Sequence, residues 1–122
     1  MKYILDTSVF ISRYKIPGEQ SVTVQGVFDE LRDTQSRIQF EVAERSGLKV
    51  EQPDEKSIQK VMQQSKDVGD FETLSQTDIH LIAKALEYIK EGAAIVTDDY
   101  AIQNVAAHMN IPVIPIMQSR IK

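Results

Sequence analysis

Short apolar runs alternate with amphipathic segments along the chain, and this alternation predicts strands that alternate with helices. Continuous or β-branched apolar runs predict five strands, at residues 2–5, 21–24, 48–51, 93–97 and 112–116. Several of these runs are apolar on both faces, which is typical of strands in a parallel sheet that helices cover on both sides. The expected fold class is therefore α/β, with a central parallel sheet in a three-layer α/β/α arrangement.

Apolar residues spaced three and four apart predict the helices between these strands. One pattern starts at residue 27 and continues over residues 37–45, with an inward face expected at Ile38, Val42 and Ala43. A second pattern occupies residues 53–66, with an inward face expected at Ile58, Val61 and Met62. A third begins with a cap at Ser75 or Thr77 and stops at Gly92, and a fourth runs from residue 98 to about residue 109. The segment 16–20 is a loop by its Pro-Gly pair.

Composition narrows the class of protein. A chain of 122 residues with 42% hydrophobic content fits one domain over residues 1–122. The absence of cysteine excludes disulfides, zinc ribbons and thiol nucleophiles, and no apolar run approaches the roughly 20 residues of a membrane span. The amino terminus enters a strand pattern directly and does not resemble a signal peptide, so a cytoplasmic protein is expected.

Acidic residues stand where the predicted strands and helices meet. They are Asp6 after the first strand, Glu30 in a helix, Asp78 in a first helical turn, and Asp98 and Asp99 after the fourth strand. Each alone has an ordinary explanation as a cap or a solvated charge. Ligands of parallel sheets bind beyond the carboxyl ends of the strands, where Asp6 and the Asp98/Asp99 pair fall. Together the acids predict a site for a hard cation such as Mg²⁺, which prefers oxygen ligands.

The net charge of −4 argues mildly against binding to nucleic acid, but a cluster of carboxylates around cations accounts for much of it. Basic residues could contact phosphates, although most are expected to be solvated helix charges; they include Arg13, Lys15, Arg32, Arg37 and Lys84.

Polar and aromatic neighbours of the acids are candidates for supporting roles. Thr7, Ser8 and Thr97 could orient water or phosphate oxygens, although capping explains any one of them. Asn104 either reaches the rim of the site or faces water. Tyr100 could stack on a base or belong to the core. The residues His80 and His108 have no partner at ligand spacing, which favours ordinary surface positions.

Four segments together resemble the PIN domain of nucleases from end to end. They are Ile-Leu-Asp-Thr-Ser at 4–8, Val-Phe-Asp-Glu-Leu at 27–31, Asp78 opening a helix, and Val-Thr-Asp-Asp at 96–99. Residues 69–78 and 97–106 more specifically resemble the NIN-one-binding, or Nob-type, endonucleases that mature small-subunit ribosomal RNA.

This resemblance implies a PIN-like α/β/α fold and Mg²⁺- or Mn²⁺-dependent hydrolysis of single-stranded RNA, in 3′-end maturation of small-subunit ribosomal RNA. Carried over to the matching positions, it implies that Asp6, Glu30 and Asp78 are catalytic and metal-ligating acids, with Asp99 or Asp98 completing the set. Asp99 is slightly favoured over Asp98 for direct ligation. The implied partners are precursor ribosomal RNA and pre-ribosomal proteins.

The chain departs from the Nob-type pattern because those proteins usually continue into a zinc ribbon, and no cysteine is present here. Either the chain is truncated or the nuclease domain stands alone. A toxin-type ribonuclease of the VapC kind shares the acids and the reaction, but it would normally act with an antitoxin. A non-catalytic PIN-like adaptor for RNA or protein would be expected to have lost some of the acids. An aspartyl phosphatase would place a second acid two residues after Asp6, where Ser8 stands.

Overall fold

The computed structural model describes residues 1–15 and 18–116, and its centre is a five-stranded sheet. The strands are β1 (Lys2–Leu5), β2 (Ser21–Thr23), β3 (Lys49–Val50), β4 (Ala93–Thr97) and β5 (Val113–Pro115). They lie in the order β3-β2-β1-β4-β5, and every neighbouring pair is parallel. All five predicted strands are confirmed, although β3 and β5 are shorter than expected. The first and fourth strands, which precede the acids, lie side by side at the centre.

Helices cover the sheet in the described residues. They are α1 (Thr7–Ile11), α2 (Gln25–Glu30), α3 (Thr34–Arg45), α4 (Glu55–Ser65), α5 (Gln76–Tyr88) and α6 (Tyr100–His108), with single 3₁₀ turns at Gly18–Gln20, Phe71–Thr73 and Ile89–Glu91. Helix α5 packs on β1 and β4 and is itself covered by α4, while α1 contacts β4 and α3. The three-layer α/β/α fold expected from the sequence is confirmed. None of the described helices is both long and apolar enough to span a membrane.

Side-chain caps and glycines set the ends of these helices. Asp33, Asp54 and Ser75 each accept a hydrogen bond from a backbone N–H in the first turn of the helix that follows. Helix α3 ends just before Gly47, and the 3₁₀ turn after α5 ends at Gly92. These glycines have φ angles of +115° and +94°, which side chains rarely allow. The stop expected at Gly92 is confirmed.

The predicted continuation of one helix across residues 27–45 is wrong. Helix α2 ends at Glu30, and the buried Leu31 leads into a new start in which Asp33 accepts from the Ser36 N–H at 3.0 Å. Arg37 closes the break, because its Nε donates to the Leu31 carbonyl at 2.8 Å. The guanidinium of Arg37 also lies over the Phe28 ring. Arg37 therefore stabilises the junction between α2 and α3.

The new start changes which residues of α3 face the core. Ser36 and Phe40 are buried, and Ala43 packs against the core as expected. Ile38 and Val42, which were expected to face inward, are 44% and 49% exposed. On α4, Val61 and Ile58 do pack inward, but Met62 is 40% exposed, because the next residue lies about 100° further around a helix.

Lys84 is a buried ion-pair residue rather than a solvated charge. Its Nζ lies 2.7 Å from Glu87 and 3.0 Å from Glu51, and its side chain is 8% exposed. These two carboxylates stabilise the charged form and raise the pKa of Lys84, although burial acts in the opposite direction. Lys84 is therefore unavailable as a phosphate contact.

Phe40 joins three helices through aromatic contacts. Its ring centroid lies 5.0 Å from that of Phe10 on α1 and 5.0 Å from that of Phe28 on α2. These distances fall within the range of tilted and edge-to-face aromatic pairs. The cluster fixes α1 and α2 relative to each other, and both helices carry residues of the candidate site.

Replacing Phe40 with alanine is expected to lower the free energy of unfolding by about 3–5 kcal/mol, because the change leaves a cavity among three helices. The matched control is Val42→Ala on the same helix, which should cost no more than about 0.5 kcal/mol because Val42 is exposed. Urea unfolding of both variants measures these values. Equal losses in the two variants would contradict the observed inward face of α3.

Candidate active site

Asp6 occupies the turn between β1 and α1, at the carboxyl edge of the sheet. Its backbone N–H donates to the Val96 carbonyl on β4 at 3.1 Å. The buried Thr23 of β2 donates its hydroxyl to the carbonyl of Leu5 at 2.7 Å. The end of β1 is thus held from both neighbouring strands, which fixes the point where the acidic side chain leaves the backbone.

The carboxylate of Asp6 is surrounded by short hydrogen bonds. Its Oδ1 accepts from the Thr7 backbone N–H at 2.7 Å, and its Oδ2 accepts from the Thr97 hydroxyl at 2.6 Å. The Ser8 hydroxyl lies 3.5 Å from the same Oδ2 and accepts at 3.4 Å from the Asp98 N–H. Three residues predicted to support the acids therefore contact Asp6.

Burial raises the pKa of Asp6, which is only 6% exposed. Desolvation raises the pKa of Asp6 from its ordinary 3.8 to about 6, although the bonds from Thr97 and Thr7 favour the ionised form. The charges of Asp78 and Asp99 raise this pKa further. Asp6 is thus an acid that its surroundings make costly to ionise.

The charge of the Asp99 side chain raises the pKa of Asp6, whereas Asp98 is linked to Asp6 only by its backbone N–H, through the Ser8 hydroxyl. The Asp99 N–H donates to the Thr97 hydroxyl at 3.0 Å, so one hydroxyl bridges the two acidic stations. The Oδ1 of Asp99 caps α6 by accepting from the N–H groups of Ala101 and Ile102 at 2.8 and 3.4 Å. Asp98, the residue before Asp99, is exposed. The geometry therefore favours Asp99 as the fourth acid.

Asp78 lies half-buried in the first turn of α5. It forms a capping box with Ser75, whose N–H donates to Asp78 Oδ2 at 2.9 Å and whose hydroxyl accepts from the Asp78 N–H at 3.1 Å. Burial raises the pKa of Asp78, the bonds to Ser75 oppose this shift, and the charges of Asp99 and Glu30 add to it. Capping and membership of the acidic cluster thus coexist in one side chain.

Glu30, the last residue of α2, completes the acidic cluster. It is exposed, and its Oε1 accepts from the Thr7 hydroxyl at 3.0 Å. Helix α2 can lie this close to α5 because Gly26 has no side chain. A Cβ at Gly26 would stand 2.3 Å from the Thr77 hydroxyl oxygen, which is far inside contact distance.

The structure therefore brings Asp6, Glu30, Asp78 and Asp99 to one edge of the sheet. Sequence reasoning missed Thr23 and Gly26, because a strand threonine and a helical glycine show no sign of such roles until the neighbouring elements are placed. Asn104 is exposed, as one of its two expected alternatives had it, and its Nδ2 donates to the carboxylate of Asp70. Tyr100 is 79% exposed and so does not belong to the core.

Electrostatic repulsion within this cluster is not relieved by any basic side chain that the structure describes. In residues 1–15 and 18–116 the salt bridges are those of Lys84, and none involves the four acids. Among the same residues, no three Asp, Glu, His or Cys side chains stand close enough to hold a metal ion directly between them. The cluster is a set of hard oxygen donors with room between its members.

Comparison with known proteins identifies the family of the chain. Residues 3–88 match the family model described as the PIN domain of ribonuclease, which covers more than half of the chain. The chain belongs to this PIN-domain ribonuclease family.

Three relatives place the chain within the family. It is 36% identical over 124 residues to Endoribonuclease Nob1 of Methanothermobacter thermautotrophicus, covering 100% of this chain and 72% of that protein. It is 31% identical to Ribonuclease VapC3 of Aeropyrum pernix, covering 91% of this chain and 83% of the relative. It is 35% identical to the 20S-pre-rRNA D-site endonuclease NOB1 of Saccharomyces cerevisiae over 69% of this chain, which spans 19% of that protein.

The pKa of Asp6 makes the stability of the metal-free protein depend on pH. The folded pKa of about 6 exceeds the ordinary 3.8, so the stabilising contribution is fully present below about pH 4 and is lost as pH rises through 6. The predicted loss between pH 4 and pH 7 is up to about 3 kcal/mol.

The variant Asp6→Asn should remove this dependence and be about 1–3 kcal/mol more stable than wild type at pH 7 in EDTA. Asparagine keeps the cap of α1 and carries no charge. Urea unfolding at pH 4 and pH 7 measures the difference. A variant that is less stable than wild type at pH 7 would refute the account of Asp6 as a costly buried charge.

Proposed function

We propose that this protein is a metal-dependent endoribonuclease that cuts single-stranded RNA in the 3′-end maturation of small-subunit ribosomal RNA. The observation that carries the proposal is the convergence of Asp6, Glu30, Asp78 and Asp99 on one edge of the sheet, where burial and the neighbouring acidic charges raise the pKa values of Asp6 and Asp78. Carboxylates held in this way have a use if cations and a phosphodiester fill the space between them. Membership of the PIN-domain ribonuclease family supports the same reaction.

The ribosomal substrate is inferred from the resemblance of residues 69–78 and 97–106 to Nob-type enzymes. The names of two relatives, an Endoribonuclease Nob1 and a 20S-pre-rRNA D-site endonuclease, support this choice. Pre-ribosomal proteins would be partners in that setting.

The donor set suits Mg²⁺ or Mn²⁺. Both ions take oxygen ligands, and Mg²⁺ usually binds through one or two carboxylates while it keeps several waters. Asp6 and Asp99, bridged by the Thr97 hydroxyl, are the pair we assign to direct ligation. Asp78 and Glu30 would then reach the ion through water.

When bound, such an ion would act as a Lewis acid, which activates a water molecule for attack on phosphorus and stabilises the leaving oxygen. The chain's own residues provide position. The Thr97 hydroxyl fixes the spacing of Asp6 and Asp99, and the Thr7 hydroxyl holds Glu30 against the start of α1. Since its pKa is about 6, Asp6 is mostly ionised at neutral pH, so its charged form is available for ligation.

A toxin-type ribonuclease is the second candidate, because the chain covers 83% of the VapC3 relative. The reaction and the acids would be the same, and the substrate would differ. Cleavage confined to a small-subunit ribosomal RNA junction favours the first candidate, and cleavage of transfer or messenger RNA favours the second. Binding without cleavage would favour a non-catalytic adaptor.

The test is cleavage of a single-stranded RNA that spans the small-subunit 3′ junction, with Mn²⁺ or with EDTA. Wild type should cut only with Mn²⁺. Asp6→Asn and Asp99→Asn should each lower the rate by at least roughly 100-fold, because each removes a proposed ligand from the ion.

Asp98→Asn is the matched control, because Asp98 is adjacent in sequence and exposed; its rate should stay near that of wild type. Circular dichroism of all variants checks folding. Full activity of Asp6→Asn, or cleavage in EDTA, would overturn the proposal.

A further inference from the structure

A groove leads away from the acidic cluster along α5. Its first part has a volume of about 600 Å³ and is lined by Glu30 and Thr77 at the end that adjoins the cluster. A second depression of about 550 Å³ continues it. The two parts share Gln52, Gln76 and His80, so they form one continuous surface, which we name the amide groove. One of the four acids therefore belongs to its wall.

The far part of the amide groove becomes more apolar. Ile58, Ile79 and Met62 line it, and Met62 is 40% exposed. The thioether of methionine is polarizable and makes favourable contacts with aromatic rings. The unexpected exposure of Met62 thus supplies an apolar surface at the distal end.

The shared residues have free hydrogen-bonding groups. In the described parts of the chain, the side chains of Gln52, Gln76 and His80 form no hydrogen bond or ion pair with protein atoms. By contrast, Gln25 at the near end donates to Asp29 at 3.0 Å. Unpaired amides in a groove offer both donors and acceptors to a ligand.

The charge of the lining decides which part of an RNA strand can enter. Arg32 is the one permanently cationic side chain among the described residues that line the groove, and it is opposed by Asp29, Glu30 and Glu55. A row of phosphates would meet net repulsion there, while nucleobases are uncharged. Single-stranded RNA is read through the hydrogen-bonding edges and stacking faces of its bases.

We propose that the amide groove receives the nucleobases on one side of the cleaved phosphate, and that Gln52, Gln76 and His80 contact their edges. This inference rests on the proposed function, since it assumes that the acidic cluster binds RNA. It makes the groove a determinant of base preference and leaves phosphate binding to other surfaces.

The test is an NMR titration of ¹⁵N-labelled Asp6→Asn, which should not cut, with a short single-stranded RNA of mixed sequence in Mg²⁺. The side-chain NH₂ signals of Gln52 and Gln76 should shift, while that of the exposed Gln35 on α3 should not. An RNA of equal length with abasic nucleotides should leave the Gln52 and Gln76 signals in place.

A second measurement uses RNA affinity. The double variant Gln52→Ala/Gln76→Ala should weaken binding roughly tenfold with no change in salt dependence, because a good base contact contributes a factor of this order and carries no charge. Gln35→Ala is the matched control and should bind as wild type.

The outcomes separate this inference from the proposed function. Glutamine shifts in a protein whose wild type never cuts RNA would support the groove and refute the nuclease. Unshifted glutamines, or equal shifts with abasic RNA, in a protein whose wild type cuts RNA would overturn the groove and leave the nuclease standing. Absence of any RNA binding would overturn both.

Discussion

The charge of Asp6 is the constraint on which the rest of the site depends. A carboxylate that is 6% exposed loses much of its hydration, and the nearby charges of Asp78 and Asp99 add repulsion. Two short hydrogen bonds, from Thr7 and Thr97, stabilise the ionised form of Asp6, yet its pKa still rises to about 6. A protein that keeps such a group gives up stability at neutral pH, and a bound cation would recover it.

The architecture brings the acidic side chains together at the carboxyl edge of the sheet. Strands β1 and β4 are central and parallel, so the turns after them meet, and Thr97 links both turns through a single hydroxyl. Helices α2 and α5 then bring Glu30 and Asp78 from the side, because Gly26 permits their close approach. The near part of the amide groove lies where these two helices meet, because residues of both helices line it. The acidic cluster and the amide groove thus derive from one packing arrangement.

Much of the fold was predictable, because strand patterns and caps are local. The run at Ala93–Thr97 and the cap at Ser75 are visible in the sequence and were observed. The break between α2 and α3 was missed although Asp33 is a typical capping residue, because the apolar spacing continues past it and the bond from Arg37 to Leu31 is not visible in the sequence. For the site, the sequence predicts the five acids but not their geometry. Choosing Asp99 over Asp98 required the bridge through Thr97, and recognising Thr23 and Gly26 required neighbouring elements in place.

Calorimetric titration of the protein with Mn²⁺ at pH 7 tests the central claim most directly, because it measures whether the four carboxylates form a cation site without any RNA. Wild type should bind Mn²⁺ saturably, and Asp6→Asn should bind at least about tenfold more weakly, as loss of a ligand or its support typically costs. Asp98→Asn should bind as wild type does. Failure of wild type to bind Mn²⁺, or undiminished binding by Asp6→Asn, would contradict the account.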